Sequence, residues 1–127
     1  MADASDVTIE IHANAVPLME HALRLARDGV VTRACQSNMD HVGKGLSPLQ
    51  GGTQGGKGGG SGFKAEGVDE SLVKLLADAQ TSGGLLLSVA ANRADELVAS
   101  LKRWNTRAAA AVGRVLSHSP HRVVLTG

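Results

Sequence analysis

The sequence predicts a single α/β domain, a mixed β-sheet with helices packed on it. Three observations point there. Val7-Thr8-Ile9-Glu10-Ile11-His12 alternates apolar with polar, the period of a half-buried strand. Apolar residues recur at helical spacing after Pro17, after Asp69 and after Asn92. Short Val- and Leu-rich runs, each ended by turn residues, lie at 85–89, 112–116 and 122–126. Strands interleaved with helices give a layered α/β arrangement.

Composition fits one small core. A chain of 127 residues buries roughly two-thirds of the surface it would expose unfolded. The formal charge of +1 is spread along the chain, so no basic stripe for nucleic acid or patch for a membrane surface stands out. Phe63 and Trp104 are the only aromatic residues, too few for a base-stacking platform. Cys35 is the only cysteine; it excludes an internal disulfide and suits a reducing compartment. The opening Met1-Ala2-Asp3-Ala4-Ser5-Asp6 is polar and acidic, unlike a signal peptide, and no apolar run approaches ~20 residues. A cytoplasmic location, with no nucleic-acid or membrane partner, is the expectation.

In chain order, the first strand covers 7–12 and directs Val7, Ile9 and Ile11 to the core and His12 outward. Pro17 fits the first turn of a helix whose stripe is Leu18, Ala22, Leu25 and Ala26, widened by Met19 and Leu23 and ended by Gly29. Residues 32–42 have no clean period and read as a loop carrying Cys35, Asn38 and His41. A cysteine and a histidine six apart lack a third group to complete a nucleophile or metal site, so Cys35 reads as an ordinary small buried thiol.

Gly43 to Gly62 contains ten of the sixteen glycines and reads as a flexible insertion extending over about 43–67. Within it, Gly51-Gly52-Thr53-Gln54-Gly55-Gly56-Lys57-Gly58 follows the first seven positions of a phosphate-binding loop. The match stops there. Gly58 stands where a Mg²⁺-binding hydroxyl is needed, and neither a preceding strand nor a following helix is indicated.

Asp69 then caps a helix, with Val68 stapled to Val73 across its first turn. The helix leads into Asp78-Ala79-Gln80-Thr81-Ser82-Gly83-Gly84 and the apolar run Leu85 to Val89, which reads as a strand covered on both faces. A glycine-closed turn of hydroxyl and amide groups at the mouth of a strand holds a phosphate, pins a neighbouring loop, or simply joins helix to strand. Gly83 or Gly84 is expected in a backbone conformation that a β-carbon would strain. Asn92 caps a further helix with Ala94, Leu97, Val98 and Leu101 on one face and Trp104 near its end. The run after Ala108-Ala111 and the run 122–126 flank Ser117-His118-Ser119-Pro120-His121 as a hairpin. His118 and His121 have a metal-site spacing but no third ligand near them in sequence.

Asp78-Ala79-Gln80-Thr81-Ser82-Gly83-Gly84-Leu85-Leu86-Leu87 resembles the Asp-Pro-Gln-Thr-Ser-Gly-Gly-Leu-Leu signature of selenophosphate synthetase, with Ala79 in the place of proline. Asn14-Ala15-Val16-Pro17-Leu18 with Leu25-Ala26-Arg27-Asp28-Gly29-Val30-Val31 is similar to the same family's helix-and-glycine segment. Asn38 falls where its Arg-Asn pair ends, Ser37 replacing the arginine, and Ala110-Ala111-Val112-Gly113-Arg114-Val115 resembles its closing Ala-x-Ile-Gly-x-Val strand. The resemblance covers the chain apart from 43–67 and implies part of the C-terminal domain shared with aminoimidazole ribonucleotide synthetase. It implies an enzyme that makes selenophosphate from selenide, ATP and water with Mg²⁺, working as a homodimer.

The family's catalytic Cys or selenocysteine with its lysine, its Mg²⁺-binding aspartates and its Thr-Asp-Val-Thr-Gly-Phe-Gly segment do not occur in this sequence. By resemblance the chain therefore holds no catalytic residue and binds no cofactor alone. Its partner is the nucleotide-binding N-terminal half, and Asp78, Gln80, Thr81, Ser82, Gly83, Gly84 and Asn38 support the substrate or the boundary between the halves. Two other readings remain open: a non-catalytic module for protein association, and another ATP-dependent member of the superfamily.

Overall fold

A computed structural model describes residues 1–35, 37–39, 62–78 and 83–127. The elements are β1 (Thr8–His12), α1 (Ala22–Arg27), β2 (Gly62–Glu66), α2 (Glu70–Leu76), α3 (Ala94–Arg103), β3 (Gly113–Leu116) and β4 (His121–Thr126), with short 3₁₀ turns at Asp3–Ser5, Ala13–Ala15 and Ala91–Arg93. The four strands form one mixed sheet in the order β2-β4-β1-β3. β1 runs parallel to β4 and antiparallel to β3, and β2 runs parallel to β4. The expected α/β class is thus observed.

The hairpin expected between the last two strands is not formed, because β1 lies between them and pairs with both. β2 is a further departure. It falls inside the stretch read as a flexible insertion, where Phe63-Lys64-Ala65-Glu66 carries an alternation that the glycines before it obscure. The phosphate-loop-like residues 51–58 lie outside the described residues.

Alternation gives the sheet two faces. Glu10 sits opposite Arg114, whose guanidinium donates to both carboxylate oxygens at 2.9 and 3.3 Å. On the same face His12 meets the Thr126 hydroxyl at 3.0 Å, and Lys64 pairs with Glu66. Ile9, Ile11, Val123 and Leu125 share the other face by register. Of β1 and β4, only Leu125 and Thr8 are fully buried, while Ile9 and Ile11 are half-buried. Thr8 carries its polar group inward at no cost: its hydroxyl donates to the His121 carbonyl at 2.7 Å and accepts from the Ser119 N–H at 3.0 Å.

One residue of β3 is fixed by contact. A β-carbon on Gly113 would lie 1.9 Å from the Glu10 carbonyl oxygen, so β1 and β3 approach through a position that only glycine fills.

The helical core is formed where α1 packs against α2 and α2 reaches the 3₁₀ turn after β1. It buries Ala13, Ala26, Leu72 and Val73. Asp69 caps α2 as expected, accepting from the Ser71 and Leu72 N–H groups at 2.9 and 3.2 Å. Its carboxylate also holds Arg27 at the end of α1, at 3.1 Å.

α1 is shorter than its apolar stripe. Residues 17–19 have no regular structure and His21 takes a left-handed conformation (φ 65°) just before Ala22, so the helix starts late; Leu18, Met19 and, within α1, Leu25 are exposed. α3 begins after a 3₁₀ turn rather than on an Asn92 cap, and none of its residues is fully buried.

The strand expected at Leu85–Val89 is not observed. Residues 83–90 have irregular backbone, no sheet strand pairs with them, and Leu85 is 89% exposed. A largely apolar run states a demand for burial without saying what meets it, and among the described residues nothing buries it fully.

Candidate functional site at the end of α2

The residues around Asp78 form a clamp between the last turn of α2 and the segment after α1. That segment is not the expected loop, since residues 33–35 and 37–39 are helical. Thr32 stands at its N-terminal end, and its hydroxyl accepts from the Cys35 N–H at 3.1 Å, the hydrogen bond of a helix cap. The same hydroxyl donates to Asp78 Oδ1. Asn38 Nδ2 donates to the Ala77 carbonyl at 2.8 Å, and Cys35 Sγ donates to the Lys74 carbonyl at 3.1 Å. Helix ends leave such carbonyls without intrahelical donors. Three side chains therefore satisfy or hold the exit of α2.

Cys35 is 3% exposed. Burial pushes its thiol above the usual range, Asp78 adds to the shift and Lys74 opposes it. A thiol held neutral is a poor nucleophile, which fits its reading as a structural residue. Lys74 is turned to Glu70 at 2.7 Å, and that contact raises its pKa. Beside Cys35, between Val31, Thr32, Lys74 and Asp78, lies a cavity of about 40 Å³. That is room for about one water molecule and far below a nucleotide site.

Two of the sequence-chosen residues, Asn38 and Asp78, are thus brought to one place from positions 40 residues apart in the chain, Asn38 touching the residue before Asp78. Gln80, Thr81 and Ser82 lie outside the described residues. Gly83 and Gly84 are exposed. At Gly84 a β-carbon would meet nothing within 4 Å and φ is not positive, so the strain expected of the pair is absent at that residue. Thr32 was not singled out from sequence, although a threonine immediately before a helical segment is the ordinary signal of a cap. No three His, Cys, Asp or Glu side chains among the described residues gather as a metal site, His118 and His121 included.

The family model for AIR synthase related protein, C-terminal domain, matches residues 1–126. A selenide, water dikinase of Porphyromonas gingivalis is 38% identical over 112 residues, which is 88% of this chain and 27% of the relative. One from Geobacter metallireducens is 37% identical over 125 residues, 98% of this chain and 31% of the relative. Selenide, water dikinase 2 of Peptoclostridium acidaminophilum is 32% identical over 125 residues, again 98% and 31%. The chain spans less than a third of the length of these curated relatives. No helix among the described residues is long and apolar enough to cross a membrane. With nearly its whole length matched, the chain belongs to the family of AIR synthase related C-terminal domains.

Proposed function

We propose that this chain is the C-terminal portion of a selenide, water dikinase, an enzyme that makes selenophosphate from selenide, ATP and water with release of AMP and phosphate. The observation that carries the reading is the 98% coverage of this chain by relatives of that name, together with the unbroken Gln80-Thr81-Ser82-Gly83-Gly84 signature. On this reading the chain supports the chemistry without performing it. Its partner is a nucleotide-binding N-terminal half, which brings ATP and Mg²⁺, and the complete enzyme is a cytoplasmic homodimer.

On this reading Mg²⁺ is held by the nucleotide-binding half. In support, no three His, Cys, Asp or Glu side chains gather among the described residues, and the Asp78 carboxylate is engaged by the Thr32 hydroxyl. No step of the reaction is assigned to the metal on this chain. What its residues supply is position: Thr32 and Asn38 fix the exit of α2, from which the chain enters the signature turn.

The test is selenide-dependent AMP release from ATP. The purified chain alone is expected to give none, and the chain joined to the nucleotide-binding half of a relative is expected to restore it. In the joined protein, replacing Thr81 and Ser82 with alanine lowers turnover while the fold is kept. Turnover by the isolated chain overturns the reading, and unchanged turnover in the double variant reduces the turn to a connection between elements.

A further inference from the structure

Asp6, His118 and Arg122 meet at the end of the sheet where β1 and β4 begin. Asp6 ends the N-terminal turn ahead of β1, His118 lies in the connection between β3 and β4, and Arg122 is in β4. Arg122 Nη1 is 2.7 Å from Asp6 Oδ1 and 2.7 Å from His118 Nδ1. His118 Nδ1 is in turn 3.0 Å from the same Asp6 oxygen. Asp6 is held at a left-handed φ of 50°, a conformation that a non-glycine residue adopts at some cost.

The three contacts of this triangle are not hydrogen bonds at the same time. A guanidinium only donates and a carboxylate only accepts, whereas Nδ1 of a neutral imidazole does one or the other. With Nδ1 bare, it accepts from Arg122, and its lone pair faces the Asp6 oxygen. With Nδ1 protonated, it donates to Asp6, and its N–H confronts the N–H of Arg122. Arg122 keeps its bond to Asp6 in both cases.

We propose that His118 is a proton-driven tether: neutral, it ties the β3–β4 connection to Arg122 of β4, and protonated, it transfers that tie to Asp6 ahead of β1. The proton enters at Nδ1 from solvent, since the His118 side chain is 51% exposed. A histidine is the side chain whose charge changes in the neutral pH range. Among the described side chains, the titratable and charged groups facing the ring are Asp6 from the N-terminal turn and Arg122 from β4. Arg122 and His118 together also hold the Asp6 carboxyl below the usual carboxylate range, the Arg122 hydrogen bond contributing most. Asp6 therefore stays an acceptor throughout. Ser119, next to His118, remains anchored on Thr8 through its N–H at 3.0 Å, so the exchange is confined to the His118 side of the connection. The tether does not depend on the reaction proposed above.

Nitrogen-15 spectra of the histidine rings in the intact chain, followed from pH 8 to pH 5, test it. The expected result is a neutral His118 with its proton on Nε2 and a bare Nδ1. On acidification, the Arg122 side-chain N–H signals and the Asp6 and Val7 amides should shift together with the His118 ring. In His118→Gln the shared titration disappears from all of them. In Asp6→Ala the Arg122 signals still follow the ring, while the Val7 amide no longer does. Both variants alter exposed side chains, and a dispersed amide spectrum verifies their fold. A neutral His118 carrying its proton on Nδ1 overturns the proposal, and so do Arg122 signals that ignore the ring's titration.

Discussion

Asn38 donates a 2.8 Å hydrogen bond to the carbonyl of Ala77, so a residue of the segment after α1 closes the end of α2. The carbonyl it satisfies directly precedes Asp78, the first residue of the family signature. Asn38→Ala leaves that carbonyl to solvent and is expected to lower stability by about 1 kcal/mol. Asn38→Asp places an acceptor against an acceptor and should cost more. Urea unfolding of the three proteins ranks them, and an Asp variant as stable as wild type would show that the contact contributes nothing.

Gly113 admits no side chain. Because a β-carbon there would lie 1.9 Å from the Glu10 carbonyl oxygen and 3.0 Å from Ile11 Cα, Gly113→Ala must push β3 from β1. A loss of roughly 2–4 kcal/mol is expected, with amide exchange accelerating first at His12, whose N–H donates to the carbonyl of Val112 beside Gly113. Gly84→Ala, where the added carbon meets open space, should leave the unfolding midpoint nearly where it was.

Asp69 links stability to pH. The Leu72 N–H, with Arg27 and the Ser71 N–H, holds its carboxyl below the usual value. A carboxyl whose folded pKa is depressed stabilises the fold above its unfolded pKa of about 3.9. That contribution is lost as pH falls through the folded value. The urea midpoint of the wild type should therefore drop more steeply below pH 5 than that of Asp69→Asn, which keeps a cap acceptor but does not titrate. Parallel profiles would remove Asp69 as a source of the acid sensitivity.

Cys35, buried and with its thiol pushed up by burial, should react with an aromatic disulfide at pH 8 at least ~100-fold more slowly in the folded chain than in urea. Equal rates would place the thiol at the surface.

β1 and the Asp69 cap of α2 were legible in the sequence because each is written locally, one as strict alternation and the other as a single capping side chain ahead of an apolar stripe. Partnership was not. Nothing in residues 112–126 says that β1 inserts between two runs that look like a hairpin, since that pairing is decided by a segment more than a hundred residues away. The alternation of Phe63-Lys64-Ala65-Glu66 was lost among neighbouring glycines, and the run Leu85–Val89 gave hydrophobicity without location. At the site, Asn38 and Asp78 were reached through the family signature, while Thr32, which binds Asp78, needed only the rule that a threonine before a helix caps it.

The place of β4 governs how the molecule is made. Strands β1 and β2 have no contact in the ladder except through β4, with Ile9 and Phe63 both in register with Val123. On the ribosome, Thr8–His12 and Gly62–Glu66 emerge long before their common neighbour: until His121–Thr126 has cleared the exit tunnel, Gly62–Glu66 has no ladder partner and Thr8–His12 has only β3. Assembly of the sheet is thus a late event of high contact order, slow for a chain of this size, and the waiting strands are surfaces for chaperones.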